Sequence, residues 1–193
     1  MASRNGSSAR AIVAAIRAGA LAAEPRLIVS NNQTAAVLAF AAEAGVPALC
    51  IPTKGDPDAA DARLCEAMVA AGVELIVLSG YLRRLGPKTL VRYAGRVLNI
   101  HPGPLPAFGG EGMYGRRVHE AVIAAGVAAS GIAVHVVDEE YDHGPVIAQC
   151  VVPVEPGDTG ESLEARVTAR EPAFFLEILQ KIAAGEIALP SPG

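Results

Sequence analysis

The sequence predicts an α/β protein: a doubly wound, mostly parallel sheet, finished by an antiparallel C-terminal strand pair and a long C-terminal helix. Three observations carry this expectation. Apolar runs of about five residues alternate with helical stretches of about a dozen, which is the spacing of βαβ units. The runs RLIVS, VPALCI and VELIVLS are almost continuously apolar, as strands covered on both faces are. The stretches before or between them stop at Gly19, Gly45 and Gly72, and glycine best accepts the left-handed turn that ends a helix.

In chain order, residues 7–19 read as a helix and residues 26–30 as a buried strand. Residues 33–44 form a helix, and residues 46–51 a strand that Pro47 weakens at its start. A helix over 58–71, a strand over 73–79, a helix over 87–94 and a strand over 96–100 continue the rhythm. The right-handed crossover rule then gives the doubly wound arrangement. After His101 the pattern changes, because residues 102–114 hold four glycines and three prolines and cannot be a helix. A helix over 116–125 follows. GIAVHVV and PVIAQCVV are strands joined by the acidic turn over 138–144, too short for a crossover, so they pair antiparallel. Residues 162–185 form the closing helix, with a kink expected near Pro172. With no repeat, linker or low-complexity segment, residues 1–193 read as one domain.

Composition excludes several functions. The chain is 51% hydrophobic, has no Trp, and carries a net charge of -4. No Lys/Arg cluster is dense enough to follow a phosphate backbone, so nucleic acid is not an expected partner. Cys50, Cys65 and Cys150 are far apart and form no CxxC or Cys/His pattern, which predicts reduced thiols and no metal site. Arg17 interrupts the early run AIVAAIRAGALAA, and no apolar stretch reaches the roughly 20 residues of a membrane span. A cytoplasmic protein that does not engage a membrane is expected.

Asn99 and His101 stand two apart on an extended segment, so both project from one face. They lie at the carboxyl end of a predicted strand, where ligands bind in open α/β sheets. An amide donates N–H groups without charge to a developing oxyanion, and an imidazole moves protons near neutral pH. In DEEYDHG, Asp138 and Glu139 read as a solvated turn. Asp142, just before the chain re-enters a strand, could orient a histidine. Gly6, Ser7 and Ser8 precede the first helix, where they serve either as an ordinary N-cap or as an anion site. His135 reads as a packed core histidine, and His119 as a surface residue or one lying behind the site.

LSGYLRRLGPKTLVRYAGRVLNIHPGPLPAFGG, followed by GIAVHVVDEEYDHGPVIAQ, resembles the folate-dependent phosphoribosylglycinamide formyltransferases, and the resemblance covers almost the whole chain. It implies a Rossmann-like formyltransferase fold, with a phosphate-side half over about residues 1–100 and a folate-side half over about 101–193. It implies transfer of a formyl group from 10-formyltetrahydrofolate to the amine of glycinamide ribonucleotide in purine biosynthesis. By the same resemblance the catalytic residues are Asn99, His101 and Asp142. The folate would lie against Leu82, Arg83, Arg84 and Leu85, and against Glu139, Glu140 and Tyr141. The nucleotide would be held by Gly6, Ser7, Ser8 and Glu171. No metal is implied, the partners are small molecules, and the protein is expected to be a monomer or homodimer.

Four features depart from that family. Only Met1 and Ala2 precede SRNG, where the family has an apolar strand in mid-sheet. An upstream start is the favoured reading, and without the strand neighbouring backbone groups would be unpaired and the loop poorly held. Arg4 and Ser8 replace a glycine and an asparagine in that loop. Pro172 follows Glu171 where histidine is usual. No arginine stands around Asp56–Asp58, where some members place one near the phosphate. All fall on the nucleotide side. Formyl transfer to another amine, formyltetrahydrofolate hydrolysis, and folate binding without turnover therefore stay open beside the leading reading.

Overall fold

The computed structural model describes residues 1–190. Its elements are α1 (Ser7–Arg17), β1 (Ile28–Ser30), α2 (Ala36–Glu43), β2 (Ala48–Cys50), α3 (Pro57–Ala70) and β3 (Ile76–Leu78). They continue with α4 (Pro87–Arg92), β4 (Val97–His101), α5 (Arg116–Ala124), β5 (Ala129–Val136), β6 (Val146–Pro153) and α6 (Gly160–Ala183). Each expected helix and strand is present, and most are shorter than the sequence pattern suggested.

β1 pairs with β2 and β3 with β4 in parallel, while β4–β5 and β5–β6 are antiparallel. The antiparallel part thus begins one strand earlier than expected. The loop over residues 102–115 uses up the return path, so α5 delivers the chain beyond the carboxyl end of β4. There β5 runs back with Ala133 opposite His101 and Val136 opposite Leu98.

Residues 1–3 lie between β1 and β3 and bond to both. The Ala2 amide donates to Val29 O at 3.1 Å, the Ser3 amide to Gly80 O at 3.1 Å, and Ser79 N–H to Met1 O at 2.9 Å. The gap expected at mid-sheet is therefore bridged by backbone hydrogen bonds. Ser3 ties the two sides further, donating from Oγ to Asn31 Oδ1 at 2.6 Å and accepting from Leu82 N–H at 2.9 Å.

Leu98, Ile100, Ile132, Val134 and Val136 pack against Phe174, Phe175 and Ile178 of α6 and Val122 of α5. Phe175 is fully buried, a placement that typically stabilises by about 1.5–3 kcal/mol. Because Leu98 and Ile100 face this core, Asn99 and His101 point to the other side of β4. There Val97 joins Val29, Ile76 and Leu78 against Leu64 and Met68 of α3. Buried Asp61 of α3 accepts from Lys88 N–H at 2.8 Å, Thr89 N–H at 3.2 Å and Thr89 Oγ at 2.6 Å. It caps α4 from a neighbouring helix and so fixes the far end of the loop over 80–86.

α6 starts in a capping box between Thr159 and Ser162 and runs unbroken through Pro172. It lies along α5 and α1. Among the described residues no helix is long and apolar enough to cross a membrane.

Candidate active site

Asn99 and His101 emerge from the end of β4, and β5 sets His135 directly opposite Asn99. The Asn99 amide nitrogen lies 3.1 Å from His135 Nε2. His135 Nδ1 lies 3.0 Å from Val136 O, an acceptor that takes the Nδ1 proton. In the neutral ring Nε2 is then an acceptor, which turns the N–H side of the Asn99 amide toward it. One N–H of Asn99 is used in this way and the second remains for a ligand oxygen.

His101 is almost wholly buried. Its Nε2 meets Phe108 O at 2.7 Å, and its Nδ1 lies 3.3 Å from Asp142 Oδ2. Both ring nitrogens thus face acceptors, which only the doubly protonated ring satisfies in full. Burial opposes that charge. It outweighs the pull of Asp142 and of the Phe108 carbonyl, so the His101 pKa sits below its ordinary value. Phe108 O holds Nε2, so Nδ1, toward Asp142, is the ring nitrogen left to gain or lose a proton.

Asp142 joins the two histidines. Its Oδ2 accepts from Gly110 N–H at 3.1 Å, and its Oδ1 lies 3.3 Å from His135 Nε2. Burial alone would raise its pKa. The His135 contact, the charge of His101 and the Gly110 amide together hold it below the ordinary carboxylate value. The backbone at Asp142 is left-handed, with φ 54°, a region aspartate tolerates better than most residues. Gly109 permits the approach of the loop, because a Cβ there would stand 2.3 Å from Leu105 Cδ2 and 3.0 Å from Asp142 Cβ. The three side chains singled out in the sequence therefore converge.

His135 is buried and hydrogen-bonded, as the sequence predicted, but it also touches Asn99 and Asp142, which sequence reasoning missed. A signal was available: in GIAVHVV it alternates with Gly131 and Ala133 on the face away from Ile132, Val134 and Val136. Of the two expectations for His119, the surface one fails and the place behind the site holds, near enough to His101 to feel its charge. The His119 ring is buried, its Nδ1 has no hydrogen-bond partner among the described residues, and burial, ahead of the opposing effect of Glu164, lowers its pKa.

A narrow slot of about 60 Å³ opens beside this cluster. Arg83, Arg84, Leu85, Glu139, Glu140 and Tyr141 line it, with Asn99, His135 and Asp142 at one end. Leu82 does not line it; its amide is spent on Ser3. Arg84 donates from Nη2 to Glu139 O and lies 5.4 Å from the Tyr141 ring, tying the two walls together. Asp138 is more than a solvated turn residue. It accepts from Glu140 N–H and pairs with His143 at 2.8 Å, closing the base of the loop. A larger, shallow depression of about 540 Å³ beside β2 contains none of these groups.

Farther along the same carboxyl edge of the sheet, beyond Ser3, Gly6 enters α1 with φ 65° and makes no side-chain cap, which leaves the N–H groups of the first turn open. A Cβ at Gly6 would meet Val37 Cγ2 at 2.6 Å, so glycine is required there. Ser7 is exposed, whereas Ser8 Oγ is sealed inside without a partner among the described residues. Ser8 can offer an anion only its backbone N–H. Contrary to expectation the loop is well held: Val37 N–H donates to Arg4 O, and Arg10 donates to Asn5 O and Ala36 O while stacking over Phe40. Glu171, on α6 alongside α1, has its pKa pushed up to about 7 by burial and then by the nearby charge of Glu164.

The model of the formyl transferase family matches residues 1–179. Phosphoribosylglycinamide formyltransferase of Bacillus subtilis (strain 168) is 34% identical over 183 residues, which span 94% of this chain and 91% of that protein. The chloroplastic phosphoribosylglycinamide formyltransferase of Vigna unguiculata is 35% identical over 193 residues, and the chain spans 62% of its length. Among solved structures, glycinamide ribonucleotide transformylase 1 of Symbiobacterium toebii superposes with a TM-score of 0.88 at 34% identity, covering 99% of this chain and 89% of that one. Sequence, fold and the convergence of Asn99, His101 and Asp142 agree: the chain belongs to the formyl transferase family.

Proposed function

We propose that this protein transfers the formyl group of 10-formyltetrahydrofolate to the amine of glycinamide ribonucleotide, the step of purine biosynthesis for which its relatives are named. The observation that carries this reading is the junction of an uncharged amide and an ionised carboxylate at the end of the slot, with the His101 imidazole buried behind them, 3.3 Å from Asp142.

The amine nitrogen attacks the formyl carbon, and the carbonyl oxygen becomes an oxyanion. The free N–H of Asn99 donates to that oxygen, a contribution whose loss typically costs about 10²–10³ in kcat. In the tetrahedral species the attacking nitrogen must lose a proton and the leaving folate nitrogen must gain one before the carbon–nitrogen bond breaks. His101 Nδ1 carries that proton, and Asp142, kept ionised by its neighbours, stabilises the imidazolium while it exists. The folate ring would lie between the walls formed by Arg83–Leu85 and Glu139–Tyr141, one wall from each half of the chain. The phosphate would rest on the N–H groups of Gly6, Ser7 and Ser8, with Glu171 toward the ribose. The reaction suits a cytoplasmic monomer or homodimer, where the free thiols of Cys50, Cys65 and Cys150 stay reduced.

Incubation with 10-formyltetrahydrofolate, with and without glycinamide ribonucleotide, tests this. Tetrahydrofolate and formylated nucleotide should form in equal amounts only when the nucleotide is present. Tetrahydrofolate and formate formed without nucleotide would make the protein a hydrolase, and binding without product would remove the activity.

A further inference from the structure

The loop over residues 102–110 supplies two backbone groups to the site, Phe108 O to His101 and Gly110 N–H to Asp142. Backbone groups of a loop hold such positions only if the loop itself is anchored. One anchor is visible two strands away. His101 pairs with Ala133 of β5, and Ala133 pairs with Gln149 of β6. Directly opposed residues in antiparallel strands share a face, so His101, Ala133 and Gln149 form one row across the sheet.

The loop runs back over this row. Pro104 lies above Gly131, where a Cβ would come within 4.0 Å of its own. Between the ends of the row stands only the small side chain of Ala133, which leaves the loop room to lie close. At the far end the Gln149 carboxamide accepts from Leu105 N–H at 3.1 Å and donates to Leu105 O at 3.2 Å. The side chain thus pairs with both polar groups of one backbone residue, as a neighbouring strand would, at the free edge of β6.

We propose that Gln149 is a positioning residue for catalysis: by gripping Leu105 it holds the loop so that Phe108 O stays on His101 and Gly110 N–H stays on Asp142. It acts through these backbone groups and touches no substrate.

The Phe108 carbonyl favours the protonated His101 ring. Loosening the loop therefore perturbs the His101 titration: losing this carbonyl lowers it, while water reaching the ring relieves the burial that holds it down. The other groups facing the ring are Asp142 from the 138–142 loop, His135 from β5 and His119 from α5; of these, Asp142 also loses its Gly110 amide when the loop loosens.

The experiment compares Gln149→Leu, which keeps the bulk and loses both hydrogen bonds, with Gln149→Glu, which can still accept from Leu105 N–H. The His101 titration is followed by NMR in histidine-labelled protein, alongside kcat, both KM values and the melting temperature. For Gln149→Leu the titration should shift and kcat should fall about tenfold, with KM values within about twofold. Gln149→Glu should fall in between. An unchanged His101 titration in Gln149→Leu, or a rate loss that only tracks the folded fraction, overturns the proposal. The kinetic arm rests on the formyl-transfer reading, but the titration does not. A shifted titration in a protein without transfer activity would uphold the anchor and reject the function.

Discussion

Asn99 and His135 face each other across β4 and β5, with the amide nitrogen 3.1 Å from the imidazole Nε2. A neutral ring with its Nδ1 proton on Val136 O presents a lone pair to that amide, and the amide then turns an N–H to the ring. The same Nε2 lies 3.3 Å from Asp142 Oδ1, a contact that the doubly protonated ring would satisfy.

Asn99→Ala removes the donor altogether. We expect kcat to fall by about 10²–10³. Asn99 lies outside the Leu98–Ile100 core, so the melting temperature should hardly move. Steady-state kinetics beside a thermal melt of the purified variant checks both halves, and a variant with unaltered kcat would end the oxyanion role.

His135→Phe keeps an aromatic ring of similar size and deletes the acceptor. The Asn99 amide becomes free to rotate, and kcat should drop between tenfold and a hundredfold, roughly the cost of misplacing a catalytic group by about an ångström. The double variant with Asn99→Ala should be little worse than Asn99→Ala alone, because both act on one donor. Independent, multiplying losses would show that His135 works by another route.

Acid should destabilise the fold through its buried imidazoles. Burial, the leading cause, holds both His101 and His119 below the ordinary histidine value. Between the lowered folded pKa and the unfolded value of about 6.5, the unfolded chain binds more protons. Stability contributed by the neutral rings is complete above about pH 6.5 and declines below it until the folded pKa is passed. Glu171 acts in the opposite sense over part of this range, so the comparison is between the parent and His119→Leu, in which its effect cancels. Urea midpoints should fall less between pH 7.5 and 5.5 in His119→Leu. Parallel curves for the two proteins would rule out His119 as a contributor.

Glu171 carries the reverse sign. Its folded pKa of about 7 lies above the 4.5 of a free carboxyl, so the folded state holds the proton more tightly. A penalty on stability grows from about pH 4.5 and is complete above about pH 7. Glu171→Gln should therefore raise the melting temperature at pH 8 and leave it almost unchanged at pH 4. The two melts check the sign directly, and an equal shift at both values would remove the ionisation from the explanation.

Much of this was legible in the chain. The helix and strand order followed from apolar period and glycine stops, and Asn99 and His101 could be placed on one face from their spacing alone. Asp142 stood out because a carboxylate just before a strand re-enters the core. The reversal of β5 along β4 was not legible, since strand direction depends on where a long loop spends its length. His135 was legible as a buried, hydrogen-bonded histidine, but its contacts with Asn99 and Asp142 were not, because the row it shares with Gly131 and Ala133 faces them only once β5 pairs with β4. The pairing by residues 1–3 was hidden for a similar reason: three residues are too few for a periodic signal, yet enough for hydrogen bonds to both neighbours.

The sequence by itself determined which residue types could do the chemistry and the short-range geometry that puts two of them side by side, because extended backbone has a fixed period of two. Only the tertiary structure decided what stands opposite them: His135 on the Asn99 amide, the Phe108 carbonyl on His101, the Gly110 amide on Asp142 and Gln149 at the loop's far end. Two of these partners are backbone groups, which every residue but proline offers alike. Their choice is made by chain path rather than by side-chain identity, and that path is fixed by contacts between residues distant in the sequence.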